Sequence, residues 1–584
     1  MSWARVSFLI PAVAVLGLLI ALPSISSVYI TNVAFFLLIS LALAQSWNWV
    51  GGDMGYIDLG HGVYFGVGAY AFSIAIVAGY TPLSCLAFVA MANAVLAGIL
   101  AFPLFRMRGH YFAFGTLALI PLAELLAFNF RGVTGGADGI VLPTTSSQLT
   151  SYYGALILAV CAVALSLIVA QSKLGNMLRC IRNDEAVAET IGVRILPIKV
   201  MTYVASSVFA ALAGAIFVHQ LGFTDPPTVF GLSVALAPIV MALFGGAGLV
   251  LGPAAGVLLL GVAQQFMLVQ FTSLQVVLYG AAILLIGRFM PGGVLRAKHI
   301  GAIVSRIGGK YAPPAVLGAP TCDQPIIQAH PVAKGRMLLS CENVCMSFGG
   351  NTALSGIDLN VMQGEIVGLV GPNGSGKTTL FNCISGIITP KGGCIRFDGV
   401  QTSGLRRDKV SRLGIARTFQ IPRPFSDMTV LENIASSVMF SPRLVRRDGG
   451  RIEEVARSVA AYVGLSDKLA LRADSLSTQE RKILEFARAL GIQPRLILID
   501  EVASGLSPAE LRRFVGMIRR TRDELGITVI WVEHIIGALS QVADRIVVLE
   551  QGKVIANGSS RDVFGDKRVR ESYLAMPKEP AEVG

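Results

Sequence analysis

Residues 364–379 read GEIVGLVGPNGSGKTT, and this stretch decides the fold of the C-terminal half. The apolar run 364–370 reads as a buried strand, 371–378 as a glycine-rich loop, and 379–384 as a continuing helix. A nucleoside triphosphate carries closely packed negative charge, and glycine-permitted backbone N–H groups followed by a helix N-terminus cradle such charge. The motif therefore predicts triphosphate contacts from Gly371, Pro372, Asn373, Gly374, Ser375, Gly376, Lys377, Thr378 and Thr379. Lys377 is expected to reach the β- and γ-phosphates and Thr378 to hold Mg²⁺.

Upstream of the loop the chain changes character. Of 584 residues 53% are hydrophobic and only 14% are charged, which is unlike a soluble enzyme. Before residue 171 the only charged side chains are Arg5, Asp53, Asp58, Arg106, Arg108, Glu124, Arg131 and Asp138. Apolar stretches near 6–24, 28–50, 61–80, 83–105, 110–130, 152–171, 200–222, 231–249, 252–270 and 274–290 are long enough to cross a bilayer, giving about 8 to 10 spans. The lower count applies if Gly-rich segments such as 51–60 and 245–252 are re-entrant or broken. With the N-terminus inside, ten crossings put Arg106, Arg108, the basic segment 173–199 and Arg288 on the cytoplasmic side, as the positive-inside bias requires. Glu124 is the one acid deep in a span. It is either functional or faces a polar interior, paired with an Arg. The net charge of +12 comes from 48 basic and 36 acidic residues without a basic, aromatic-studded soluble patch, so nucleic acid is not an expected partner. Eight scattered cysteines lack metal-ligand spacing and read as reduced thiols.

The expected organisation is an α-helical polytopic membrane domain over 1–298, a proline-rich linker over 299–336, an α/β P-loop domain over 337–576 and a tail over 577–584. Within the P-loop domain, the apolar run 496–499 delivers Asp500 and Glu501 to a strand end, where α/β sheets place ligands. Asp500 is expected to help hold Mg²⁺ and Glu501 to polarise an attacking water. A second apolar strand, 529–532, ends in Glu533 and His534.

From about 338 to 576 the chain resembles the ATP-binding subunit of an ABC transporter, and more narrowly that of the branched-chain amino acid uptake group. The resemblance implies that Phe348 stacks on adenine and that Gln420, in RTFQ at 417–420 before MTVLENI at 428–434, links Mg²⁺ and water to the transmembrane partner. It makes Glu501, His534 and Gln420 the catalytic set and Thr378, Gln420 and Asp500 the metal ligands. It also places 504–507 on a loop crossing a dimer interface. The family signature, usually LSGGQ, aligns with LSTQE at 476–480, so both glycines are missing. Ser477 can still face a γ-phosphate bound by an opposite ATPase, whereas Thr478 and Gln479 restrict close backbone approach. One composite ATP site is therefore expected to be weakened, unless the family tolerates the change.

The first 298 residues resemble the permease subunit of the same group, through RGHYFAFGTL at 108–117, TGGADG at 134–139, FGGAG at 244–248 and Gly252 with Pro253. The segment 182–192, RNDEAVAETIG, resembles the coupling helix that docks on an ATPase and supplies Asn183, Asp184, Glu185, Ala186 and Gly192. What the resemblance implies is a fused permease and ATPase of an importer in the bacterial cytoplasmic membrane. The solute is a branched-chain amino acid or a similar small polar molecule, with urea, amides or aromatic acids as alternatives. An exporter half-transporter is a further one. The expected cofactors are ATP and Mg²⁺. The expected partners are membrane lipid, a second permease, a second ABC ATPase or a second copy of this chain, and an extracytoplasmic solute-binding protein.

Overall fold

A computed structural model describes residues 3–107, 109–143, 148–265, 277, 280, 281, 284, 288, 289, 292–296, 329–333, 335–442, 449–566 and 569. The chain divides into two compact units, Met1–Arg182 with Leu196–Ala319, and Asn183–Ile195 with Pro320–Gly584.

The first unit is helical. Among the described residues six helices are long and apolar enough to cross a membrane: Val28–Asp53, Pro82–Leu104, His110–Asn129, Gln148–Ala170, Ile195–Leu221 and Pro226–Gly245. Val13–Ile25 and His61–Val77 are shorter and equally apolar. The expected segment 252–270 begins as the helix Gly252–Gly256 and passes into a π-helical turn, Val257–Gly261. Most of the expected span 274–290 lies outside the described residues, as do 299–328 of the expected linker and the whole tail. Two breaks fall where glycine-rich sequence suggested them. Val28–Asn48 ends in a π-helix, Trp49–Asp53, followed by irregular chain to residue 60, and Leu232–Gly245 stops at Gly246. The first break is tied down from within the unit, where Arg182 Nη1 donates to Gly52 O at 2.7 Å and Lys199 Nζ donates to Tyr56 Oη at 2.5 Å.

Small residues let helix backbones touch, which is how apolar helices gain van der Waals contact where burial from water offers no drive. A Cβ on Gly68 would lie 2.2 Å from Ala211 O, and one on Gly214 would lie 2.0 Å from Phe65 O, so His61–Val77 and Ile195–Leu221 cross backbone against backbone. Beyond one end of these helices a two-stranded ladder forms, β1 (Ile140–Val141) antiparallel to β2 (Phe223–Thr224). Ser73 and Thr224 hydroxyls, 2.6 Å apart, pin it to His61–Val77.

The second unit is an α/β domain with an antiparallel opening. β3 (Met337–Phe348) and β4 (Asn351–Met362) form a hairpin in which Phe348 pairs with Asn351 across Gly349 and Gly350. The α/β domain expected over 337–576 thus opens on a hairpin, because the two-residue Gly-Gly turn returns the chain antiparallel rather than through a crossover helix. β6 (Gly392–Phe397) and β7 (Val400–Gln401) complete this sheet in the order β4-β3-β6-β7. The other sheet runs β12-β11-β5-β10-β9-β8. It comprises β5 (Ile366–Val370), β8 (Ile415–Arg417), β9 (Leu496–Asp500), β10 (Thr528–Val532), β11 (Arg545–Glu550) and β12 (Lys553–Gly558). All its pairings are parallel except β11 with β12. β5, β9 and β10 are buried at every position, so their register is set by continuous apolar sequence covered on both faces. Leu380, Phe381 and Ile384 of the helix Lys377–Ile384 close the core between the sheets.

Gly214→Leu forces a side chain into Phe65 backbone and is expected to cost about 1–3 kcal/mol, read as a lowered thermal midpoint of the full chain in detergent. Gly98→Leu, at a position with nothing within 4 Å of its Cβ, is the control expected to leave the midpoint unchanged.

Candidate functional site

Parallel pairing brings three loops to one edge of the second unit's sheet. β5 lies between β10 and β11, and β10 lies between β5 and β9, so the chain segments leaving β5, β9 and β10 emerge side by side. The segment after β5 is the 371–378 loop. Gly374 (φ +80°) and Gly376 (φ +104°) take left-handed backbone, and a Cβ on Gly376 would sit 2.6 Å from Ala353 O. The helix Lys377–Ile384 starts directly after that turn. Lys377 Nζ donates to the loop carbonyls of Gly371 (2.8 Å) and Pro372 (2.9 Å). Burial lowers the affinity of this amine for its proton, opposed first by Glu501 and then by Asp500.

The segment after β9 carries Asp500 and Glu501. Asp500 Oδ2 accepts from Arg417 Nη2 at 3.0 Å, both groups being buried, and its N–H donates to Thr418 Oγ1 at 3.2 Å. Burial raises the Asp500 carboxyl above its usual range, with Arg417 opposing. Glu501 holds φ +45°, an uncommon value for a residue with a Cβ, and its N–H donates to Val532 O at 3.0 Å. Its carboxylate is gripped from two sides. Gln420 Nε2 donates to Oε2 at 2.5 Å, and His534 Nε2 lies 2.7 Å from Oε1. The three side chains expected to act together thus meet from three separate loops. Phe348 stands half-exposed at the end of β3.

Four residues at this edge were not singled out by sequence. Arg417 bonds Asn382 Oδ1 (2.5 Å) and Ser385 Oγ (3.2 Å) besides Asp500, joining the phosphate-loop helix to β9. Glu485 is buried, and its two oxygens accept the N–H groups of Phe419 (2.6 Å) and Arg423 (2.8 Å), the residues bracketing Gln420. Arg488, one turn on, donates to Arg423 O at 2.9 Å. Glu533 is likewise buried and accepts from Ala503 N–H (2.6 Å) and His534 N–H (3.1 Å). Burial raises both glutamates, and backbone donors act against it. The legible signal was an acid set among Leu484, Phe486, Ala487 and Leu490, on the buried part of the helix Thr478–Gly491.

Ser477 is the N-cap of that helix. Its Oγ accepts from Glu480 N–H, and Glu480 Oε2 accepts from Ser477 N–H at 2.9 Å, a capping box. Glu480 is also bonded to Lys468, which first among several causes holds its carboxyl below the usual range. Thr478 and Gln479 form the first turn, the former exposed and the latter half-buried.

The segment Asn183–Ile195 belongs to this unit. Asp184 caps its helix Glu185–Thr190 by accepting from Val187 N–H at 3.1 Å, while Val187, Ala188 and Thr190 are buried. Around that apolar contact lies a charged rim. Asn183 Oδ1 accepts from Asp427 N–H (3.2 Å), Asp184 pairs with Arg423 (3.4 Å), Glu189 with Arg407 (3.2 Å) and Arg194 with Asp408 (3.7 Å). Gly192, at φ +98°, offers its carbonyl to Arg412 Nη2 at 2.9 Å. Glu185 and Ala186 are half-buried in the first turn of the helix.

Residues 27–287 match the family described as branched-chain amino acid transport system / permease component, and 354–504 match the ABC transporter family. The chain is 34% identical over 250 residues to the high-affinity branched-chain amino acid transport ATP-binding protein BraF of Pseudomonas aeruginosa, covering 41% of this chain and 98% of that one. Its identity to LivG, the corresponding protein of Escherichia coli K12, is 33% over 249 residues, covering 41% of this chain and 97% of the other. A crystal structure of an ATP-binding cassette of an ABC transporter in its ADP conformation matches at 28% identity and a TM-score of 0.38, over 41% of this chain and 100% of that one.

Glu485→Gln turns one acceptor oxygen into a donor facing a backbone N–H. It is expected to destabilise the second unit by about 1–3 kcal/mol and to lower nucleotide turnover, measured by thermal unfolding and phosphate release on the full chain.

Proposed function

Because the chain belongs to the ABC transporters of the branched-chain amino acid type, joining a permease component to an ATP-binding cassette, we propose that it drives uptake of branched-chain amino acids or related small polar solutes across a bacterial cytoplasmic membrane. The observation that carries the reading is the meeting of Gln420, Glu501 and His534 beside the phosphate loop, on a chain whose other half is apolar helix. In this reading the 371–378 loop and Thr379 cradle the triphosphate, Lys377 turns from the loop carbonyls to the outer phosphates, and Phe348 stacks on the base. Glu501 polarises the attacking water while Gln420 and His534 fix its carboxylate, because phosphoryl transfer depends mainly on positioning and electrostatics.

The donor set suits a hard cation. Thr378 offers a hydroxyl, Gln420 retains Oε1 once Nε2 is given to Glu501, and Asp500 retains Oδ1 once Arg417 takes Oδ2. Mg²⁺ held there would neutralise charge on the triphosphate.

Transport needs more than one permease and one cassette. The partners in this reading are a second permease, a second ABC ATPase and an extracytoplasmic solute-binding protein, with lipid around the helical unit. Glu480 stands where the family signature ends in Gln, so a charged carboxylate lies at the helix N-terminus meant to meet a phosphate held by the companion. The loss of both signature glycines favours a different cassette, one with an intact signature, over a second copy of this chain. Coupling runs from Gln420 through the loop clamped by Glu485 to Arg423, whose side chain pairs with Asp184 of the docked helix.

Glu501→Gln should retain ATP and assembly yet lose on the order of 10²–10⁴-fold in turnover. Purified with its partners in proteoliposomes, the wild type should accumulate leucine with ATP inside and lose that accumulation on Mg²⁺ chelation. Hydrolysis without movement of any small solute would refute the importer. Arg407→Glu should lower solute moved per ATP about two- to fivefold, as a partly exposed pair allows, and adding Glu189→Arg should restore it.

A further inference from the structure

Helix His110–Asn129 is the least buried of the six long apolar helices, with 22% of its apolar window covered. One face of it, Phe114, Leu117, Ala118, Pro121 and Glu124, follows helical spacing and lines a groove of about 420 Å³ completed by Ile120, Phe230 and Leu232. Ile120 and Phe230 form a buried floor, and Phe114 and Leu232 stand exposed as walls. Among the described residues Glu124 is the only ionisable one in the lining, and it has no hydrogen bond or ion pair. A carboxylate at this depth cannot face hydrocarbon cheaply, so it implies water or a cationic partner in the groove. A second acceptor lies on the same stripe. Pro121 sits inside the helix and has no N–H to give the carbonyl of Leu117, one turn back.

We propose that this groove is a solute subsite. Glu124 and the Leu117 carbonyl take the ammonium group of an aliphatic amino acid, and its branched side chain packs on Ile120, Phe230 and Leu232. An ammonium carries three donors and no acceptor, matching a carboxylate beside a carbonyl that lacks its usual helix donor. Apolar walls with few placed polar groups are the usual form of a site for a small solute. Urea, neutral amides and aromatic acids carry no cation for Glu124, so the groove selects the amino acid among the candidate solutes. The inference rests on the importer reading.

The test is uptake by the full chain reconstituted with its partner subunits and a saturated solute-binding protein. Wild-type uptake of leucine is measured first. If urea or aromatic acids enter and leucine does not, the amino-acid assignment falls and the subsite with it. If leucine enters, Glu124→Gln should raise the leucine concentration for half-maximal uptake about tenfold, as expected for losing a charge-assisted hydrogen bond, with assembly unchanged. An unchanged half-maximal concentration overturns the subsite alone. Should Glu124→Gln fail to assemble, the wild type decides. 3-Methylbutylamine should inhibit leucine uptake at least tenfold more strongly than the uncharged 3-methylbutanol, and equal inhibition overturns the subsite.

Discussion

A carboxylate held from two sides organises the nucleotide-binding half of this protein. Glu501 leaves a buried strand in left-handed backbone, and Gln420 and His534 fix its two oxygens at 2.5 and 2.7 Å. Holding a non-glycine residue at such a φ costs on the order of 1–3 kcal/mol and persists only where surrounding structure over-determines it. Here the over-determination is visible. The Glu501 N–H is tied to Val532 of the neighbouring strand, and Asp500 beside it is tied to Arg417 and Thr418.

Two buried glutamates extend that control to the loops. Glu485 satisfies the backbone on both sides of Gln420, and Glu533 satisfies the backbone of Ala503 and His534. A buried carboxylate is costly unless its oxygens are filled, and main-chain N–H groups fill them here without cancelling the charge. The loops beside Gln420 and His534 are therefore held by a few strong bonds to buried carboxylates. Arg423 carries this control outward. Its N–H belongs to the Glu485 clamp while its guanidinium pairs with Asp184, the N-cap of the helix at 185–190.

The helical half obeys a different rule. Without water to exclude between its helices, contact depends on small residues, as where Gly68 meets Ala211 and Gly214 meets Phe65. Breaks occur where glycines and a π-turn interrupt regular bonding, at 49–60 and 246–251, and each is a place where backbone groups need partners other than lipid. Glu124 and Pro121, on one stripe of an underpacked helix, put the same demand on whatever fills their groove.

Short-range chemistry was legible in the sequence. The phosphate loop, the apolar strand before Asp500 and Glu501, and the Gly-rich breaks each depend on residues a few positions apart, where spacing and propensity suffice. The antiparallel start was not read from the sequence, although Gly349 and Gly350 carry its turn. Arg417 with Asp500, Glu485 with the Gln420 loop, and Glu533 with Ala503 were not legible as pairs. An acid within an amphipathic helix looks like any solvated charge until folding shows which side faces inward. Composition and motif thus determined that the protein pairs an apolar helical half with a triphosphate-binding half. Only the tertiary structure decided which buried charges hold the loops, because the cost of burying a charge and the donors that offset it come from segments far apart in the chain.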